Sequence, residues 1–323
     1  MMKRVSRIIS LIAILVWTVS CTHKELLYDV DWTVALNVEF DWSKAPEANP
    51  EGMSVYVFDL DKPGTRPDRF DLMGAAGGRI KIVPGRYSFA CINNDVENIL
   101  FKNDRSYSDF SICTRNISFE SGMNISSRLS IISRASNTSG TCIMSPDSCW
   151  TGTVENVLVE RGDESRKILF TPEISVTTVD VIVKNADNLK YSTEFGGTLD
   201  NMAAGFRLSD RTVDPDVAHY SFPLYSDGIT TLSTSFTVFG RDAAAALNHT
   251  MTVYAVLADG REWKKTFDVT DQVQSAPDPK HIVIVVSGLE VPKPIVNGSG
   301  FRPKVDDWQT KEIEVGMYNL KRN

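Results

Sequence analysis

Cys21 is the residue whose chemistry the sequence makes plainest. Lys3, Arg4 and Arg7 form a positive head, Ile8 to Trp17 is nearly all apolar, and Thr18-Val19-Ser20 lead into the cysteine. A charged head, a short apolar core and small residues make an export leader. The apolar run is about half of the roughly 20 residues that a membrane-spanning helix needs. A thiol directly after the small residues fits a lipoprotein signal. Residues 1–20 would then be removed, and Cys21, now first, would carry acyl chains. Leucine usually occupies the place of Thr18 in such a signal. The competing reading is an ordinary cleaved leader with Cys21 incidental.

The other reactive side chains make weaker patterns. Cys91, Cys113, Cys142 and Cys149 lie in the first half of the mature chain, and an exported protein can form disulfides. Cys142 and Cys149 flank a Ser-Pro-Asp turn and are the first pair to test for a disulfide; the competing reading is that they and Cys113 are incidental. Cys91, in an apolar run, reads as a buried thiol. No C-x-x-C occurs and His23, His219, His249 and His281 are scattered, which argues against zinc. Asp59, Asp61, Asp68 and Asp71 offer oxygens of the kind calcium takes, but their spacing fits a solvated loop better. Asp306-Asp307-Trp308 sets carboxylates beside an aromatic ring, as a sugar site or a lid on a core would. No G-x-S-x-G elbow is present. No carboxylate pair is singled out for glycoside hydrolysis, since its separation cannot be read from sequence. Sequons at Asn116, Asn124, Asn137, Asn248 and Asn297 are ordinary turn composition behind a leader of bacterial type. No cofactor is implied, and a non-enzymatic protein is expected.

Length and charge narrow the class. The chain has 323 residues, 42% hydrophobic and 23% charged, which suits two globular domains. Its formal charge of −7 becomes −10 once Lys3, Arg4 and Arg7 leave with the leader. That balance disfavours nucleic acid, whose phosphates need clustered Lys and Arg. No polybasic segment follows Cys21, so membrane attachment would rest on the acyl chains.

The elements that hold these residues are strands. Asp31 to Trp42 alternates strictly, with Trp32, Val34, Leu36, Val38, Phe40 and Trp42 on one face. A period of two with bulky apolar residues is a half-buried strand. Met53 to Leu60 is a second strand. Pro84-Gly85 between Arg79–Val83 and Arg86–Asn93 suggests a type II hairpin. Further apolar runs occur at Phe110–Ile112, Leu129–Ile132, Gly152–Val159 and Lys167–Thr171. Thr171-Pro172 marks the expected boundary. Beyond it, strands are expected at 174–183, 220–224, 230–239, 250–257, 262–269 and 281–287, with an Asp259-Gly260 hairpin. Short helices are expected around Leu199–Ala204 and Asp242–Leu247. Lys311–Met317 alternates and reads as a last strand, paired in its own domain or offered to a neighbour. The result is an all-β chain of two tandem β-sandwiches, 21–172 and 173–323, after the leader 1–20.

Several stretches together carry a resemblance. His23 to Asp29 leads into the first strand, and Phe40-Asp41-Trp42 precedes Ala45 to Met53. Pro84-Gly85-Arg86-Tyr87 opens a strand that ends at Asn93. Thr252-Val253-Tyr254, Asp259-Gly260, Phe267 to Val273, Ala276 to Pro279 and Gly288-Leu289 follow in order. This arrangement resembles the fimbrillin-like lipoproteins of Bacteroidetes, relatives of type V pilins and their minor and anchor subunits. The resemblance implies transthyretin-like sandwiches on a lipid tether, at the outer membrane and exposed at the cell envelope. It also implies assembly by strand addition, in which proteolysis removes the first strand, usually after arginine, and a partner's strand fills the groove. No arginine lies between Cys21 and Arg66, and Lys44 is the only basic residue from Ser43 to Gly52. An anchor or accessory fimbrial subunit that keeps its first strand is therefore expected. The alternative is a lipid-tethered module that captures glycans.

Overall fold

The computed structural model describes residues 32–117 and 141–295. The period-two alternation at the start of the chain becomes β1 (Val34–Phe40), with Val34, Leu36, Val38 and Phe40 buried and the residues between them half-buried. β2 (Gly52–Asp59), β3 (Asp68–Met73), β4 (Gly77–Ile82) and β5 (Gly85–Asn93) follow. A short hairpin, β6 (Leu100–Lys102) and β7 (Ser111–Cys113), and the two-residue β8 (Cys142–Ile143) lie between β5 and β9 (Trp150–Val159). β10 (Lys167–Phe170) and β11 (Glu173–Ile174) complete the first half. Its sheets run β10-β1-β4 and β11-β9-β5-β2-β3.

The second half holds β12 (Thr177–Lys184), β13 (Ser192–Ala203), β14 (Gly205–Arg207), β15 (Thr212–Val213), β16 (Val217–Pro223) and β17 (Tyr225–Ser226). Then come β18 (Leu232–Val238), β19 (Thr250–Leu257), β20 (Glu262–Asp268), the one-turn helix α1 (Thr270–Gln274) and β21 (His281–Ser287). Its sheets run β17-β18-β12-β21 and β20-β19-β13-β16-β8. The halves share one topology. In each, the first strand lies between a parallel strand from late in that half (β10 or β21) and an antiparallel strand (β4 or β18). The facing sheets repeat the order β9-β5-β2-β3 as β20-β19-β13-β16. The five β-branched residues Ile282 to Val286 form the centre of β21, with Ile282, Ile284 and Val286 buried.

Each sandwich has its own core, and a third apolar cluster joins them. Tyr56, Phe58, Ile92, Phe110 and Ile112 from one half pack with Val176, Phe206, Leu208 and Phe239 from the other. Strands cross the expected division after Pro172 as well. β7 pairs with β14, β8 pairs parallel with β16, and β11 pairs back onto β9.

Four expectations need correction. Pro84-Gly85 is not a hairpin, because β4 and β5 belong to different sheets. Gly85 does not take the positive φ that a type II turn requires. It is instead the place where the Tyr87 ring lies so close that a Cβ would meet its atoms at 3.0 to 3.2 Å. The Tyr87 hydroxyl donates to the Val83 carbonyl at 3.0 Å and fixes the crossing. The helix expected near Leu199–Ala204 is part of β13. A β-bulge between Leu199 and Met202, with Asn201 at φ +61°, sends both apolar side chains inward three residues apart. Spacing of three imitates a helix, but here an inserted residue produces it. Asp242–Leu247 is bent chain held by the Asp242 carboxylate on the Ala244 N–H at 2.8 Å. Six residues are too few to form a helix without packing. The Cys142–Cys149 disulfide is not formed, as Cys142 Sγ lies 3.4 Å from Ser221 Oγ and Cys149 donates to the Asp147 carbonyl at 3.2 Å. The Asp259-Gly260 hairpin joins β19 to β20 as expected, with Gly260 at φ +80°. The expected runs at Leu129–Ile132 and Lys311–Met317 lie outside the described residues.

Candidate assembly surface

β1 is the element on which assembly by strand addition would turn, and it is held from every side. Asn37 to Phe40 pair with Lys167 to Phe170, while Val34 to Glu39 pair with Ile82 to Gly77. Phe40 stacks on Phe170 with ring centroids 5.7 Å apart. At the exposed margin, Lys167 Nζ meets a Glu39 carboxylate oxygen at 2.8 Å, and Asn37 Nδ2 donates to the Ser165 carbonyl at 3.2 Å. Taking β1 out would leave the Ile80 and Ile168 pockets open and two ladders of backbone groups unpaired.

The chain after β1 is folded against the body. Trp42–Lys44 forms a 3₁₀ turn capped by the Asp41 carboxylate, which accepts the Ser43 N–H at 3.0 Å. Trp42 Nε1 donates to the Ala75 carbonyl at 2.8 Å. Lys44, the single basic side chain of this loop, is paired with Glu173, and that hydrogen bond is the main cause holding the Glu173 carboxyl below its ordinary range.

The other expected site residues are dispersed. Asp59 is paired with Lys62, Asp61 with Arg86, and Asp71 with Arg69 and Ser54, so the aspartates serve separate local contacts. Among the described residues, no group of three or more His, Cys, Asp or Glu comes together as a metal would require. Cys91 and Cys149 are buried, and burial raises both thiols far above their ordinary range, which removes them from nucleophilic chemistry at neutral pH. Cys21, Asp306, Asp307 and Trp308 lie outside the described residues. The exposed aromatic rings Trp32, Phe101 and Tyr225 belong to different parts of the fold rather than to one row. A cleft of about 410 Å³ beside Tyr225 is lined by Leu189, Phe195 and Leu224.

A polar cluster that sequence reasoning missed lies on the second half's five-stranded sheet. Asp200 accepts from Thr250 at 2.7 Å and meets His219 Nδ1 at 2.8 Å. Buried His249 lies 3.2 Å from the Asp200 carbonyl and 2.9 Å from Gln274 Nε2. Four histidines far apart in sequence gave no sign that two of them share one aspartate.

A protein-family model described as a domain of unknown function, DUF5119, matches residues 20–222. The chain belongs to this family. The DUF5119 match runs through the first sandwich, across β12 to β14, and into β16. A Bacteroides ovatus protein provisionally named fimbrium anchoring subunit Fim4B is 23% identical over 193 residues, covering 60% of this chain. The chain spans about half of that relative, 53% of its length. Among solved structures, a provisionally assigned adhesin from Bacteroides ovatus matches with TM-score 0.63 and 21% identity, over 82% of this chain and 94% of that one. The fimbrial anchor protein Mfa2 from Porphyromonas gingivalis matches with TM-score 0.52 and 13% identity, over 79% and 90%. This DUF5119 chain thus has the paired β-sandwich fold of fimbrial and adhesin-like proteins, as the resemblance implied.

Proposed function

We propose that this protein is a cell-surface anchor or accessory subunit of a fimbria-like polymer, tethered to the outer membrane through acylated Cys21. The observation that carries this reading is the seating of β1. It is the central strand of its sheet, and the loop behind it contains no arginine and ties down its only lysine. A shaft subunit in strand-addition assembly must surrender this strand, whereas an anchor keeps both tether and strand. The likeness to the named anchoring subunits supports the same role. Neither the dispersed exposed aromatics nor the paired aspartates favour glycan capture or catalysis.

The test is to isolate the native protein after growth with labelled palmitate, determine its amino terminus and identify what co-purifies. The expected result is a labelled chain beginning at Cys21 in complex with other fimbrial subunits. A mature form beginning near residue 45, or a freely secreted unlabelled form, would overturn the reading.

A further inference from the structure

One end of the first sandwich displays apolar side chains and holds Trp32, eleven positions after Cys21 in the sequence. Trp32 lies two residues before the start of β1 and is 62% exposed. Val34 pairs with Ile82, so Val83 (38% exposed) emerges at the same end. Val159 pairs with Gly85 and Leu158 with Arg86, which brings Leu158 (52% exposed) and the 160–166 turn there too. The Arg161 guanidinium lies over the Trp32 ring, 5.3 Å from its centroid. That turn is fixed to the sheet, since the Ser165 N–H donates to the Ala35 carbonyl at 2.9 Å. A tryptophan, two aliphatic side chains and an arginine are thus displayed on rigid strand ends and one pinned turn.

We propose that this end rests in the interfacial layer of a lipid bilayer, as a second contact beside the acylated cysteine. The inference depends on the Cys21 tether proposed above. Residues 22–31 separate Cys21 from Trp32, a span of at most about 40 Å even when fully extended. The end therefore stays within reach of the surface that holds the lipid. Tryptophan favours the headgroup level because its ring is apolar and its N–H is polar. Arginine can keep its stem on the ring and its head at the phosphates. Acidic groups share the turn: Asp163 is bound by Arg166 at 3.0 Å and by the Glu160 N–H at 3.1 Å, while Glu160 and Glu164 are exposed. Arg86, opposite Leu158, is paired with Asp61 at 3.3 Å, and Lys81 lies opposite Ala35, so the charges of this end offset one another. The contact is therefore apolar and interfacial, and it changes little with salt.

The full chain purified with its native lipid is mixed with phosphatidylethanolamine–phosphatidylglycerol vesicles carrying a nitroxide just below the headgroup. Emission of Trp32→Phe is subtracted from that of the native chain. The expected Trp32 signal is shifted to the blue and quenched by the nitroxide, at low and high salt alike. Flotation with the vesicles while Trp32 stays unquenched and at its aqueous wavelength would overturn the inference and leave the tether standing. Failure of the protein to float at all would overturn both. Because Trp32 is exposed, its replacement leaves the fold intact, and a circular dichroism melt matching the native chain confirms this.

Discussion

His249 has no exposed surface, and both of its ring nitrogens are used. The Asp200 carbonyl can only accept, so Nδ1 carries the proton and Nε2 accepts from the Gln274 amide. Gln274 cannot turn its oxygen toward the ring without giving up the Arg241 guanidinium, which donates to that oxygen at 3.0 Å. Burial is the largest influence and lowers the His249 pKa from its ordinary 6.5; the hydrogen bond to the Asp200 carbonyl opposes it, and the charge of Arg241 adds to it. The unfolded chain then binds a proton below about pH 6.5 that the folded chain refuses, so stability falls with falling pH in that window. Chemical denaturation between pH 7.5 and 5 should show this fall, and His249→Gln should flatten it. An equal slope in both proteins would contradict the account.

At the scale of elements, the two first strands occupy equivalent slots, but β1 is the one that assembly could exchange. Its burial makes it costly to perturb. Leu36→Ala should lower the unfolding free energy by about 2–5 kcal/mol, as other buried leucine truncations do, measured by urea denaturation. The matching last strand of the second half is guarded. The Gln272 side chain of α1 accepts the Val285 N–H at 2.7 Å and donates to the Val285 carbonyl at 3.1 Å. One amide thus occupies both backbone groups that an added strand would use at that position. Gln272→Ala should speed hydrogen exchange at the Val285 amide while the amides of Ile284 and Val286, which face β12, remain slow.

At the scale of the molecule, the two sandwiches are one mechanical piece. The sheet β15-β14-β7-β6 takes two strands from each half. Phe110, fully buried, packs against Tyr56, Phe58 and Phe101 beneath it. The anchor role proposed above would call for such a joint, because a flexible linker would let the halves swing. Unfolding followed through Trp42 in the first half and Trp263 in the second should coincide in the native chain. Phe110→Ala should separate the two transitions, with the residues read one at a time through Trp42→Phe and Trp263→Phe. Separate transitions in the native chain would refute the joint.

Sequence by itself determined the local facts: the alternation of β1, the Asp259-Gly260 hairpin and the β-branched run of β21. Each is written in neighbouring residues, since a strand's two faces and a turn's φ angles are local properties. It misread the Pro84-Gly85 crossing and the β13 bulge because both depend on a distant partner. One is a change of sheet, and the other is a register against β16. The Asp200 cluster and the sheet shared by the two halves were equally out of reach. They arise where strands separated by tens of residues are brought side by side, and only the packed chain decides which strands those are.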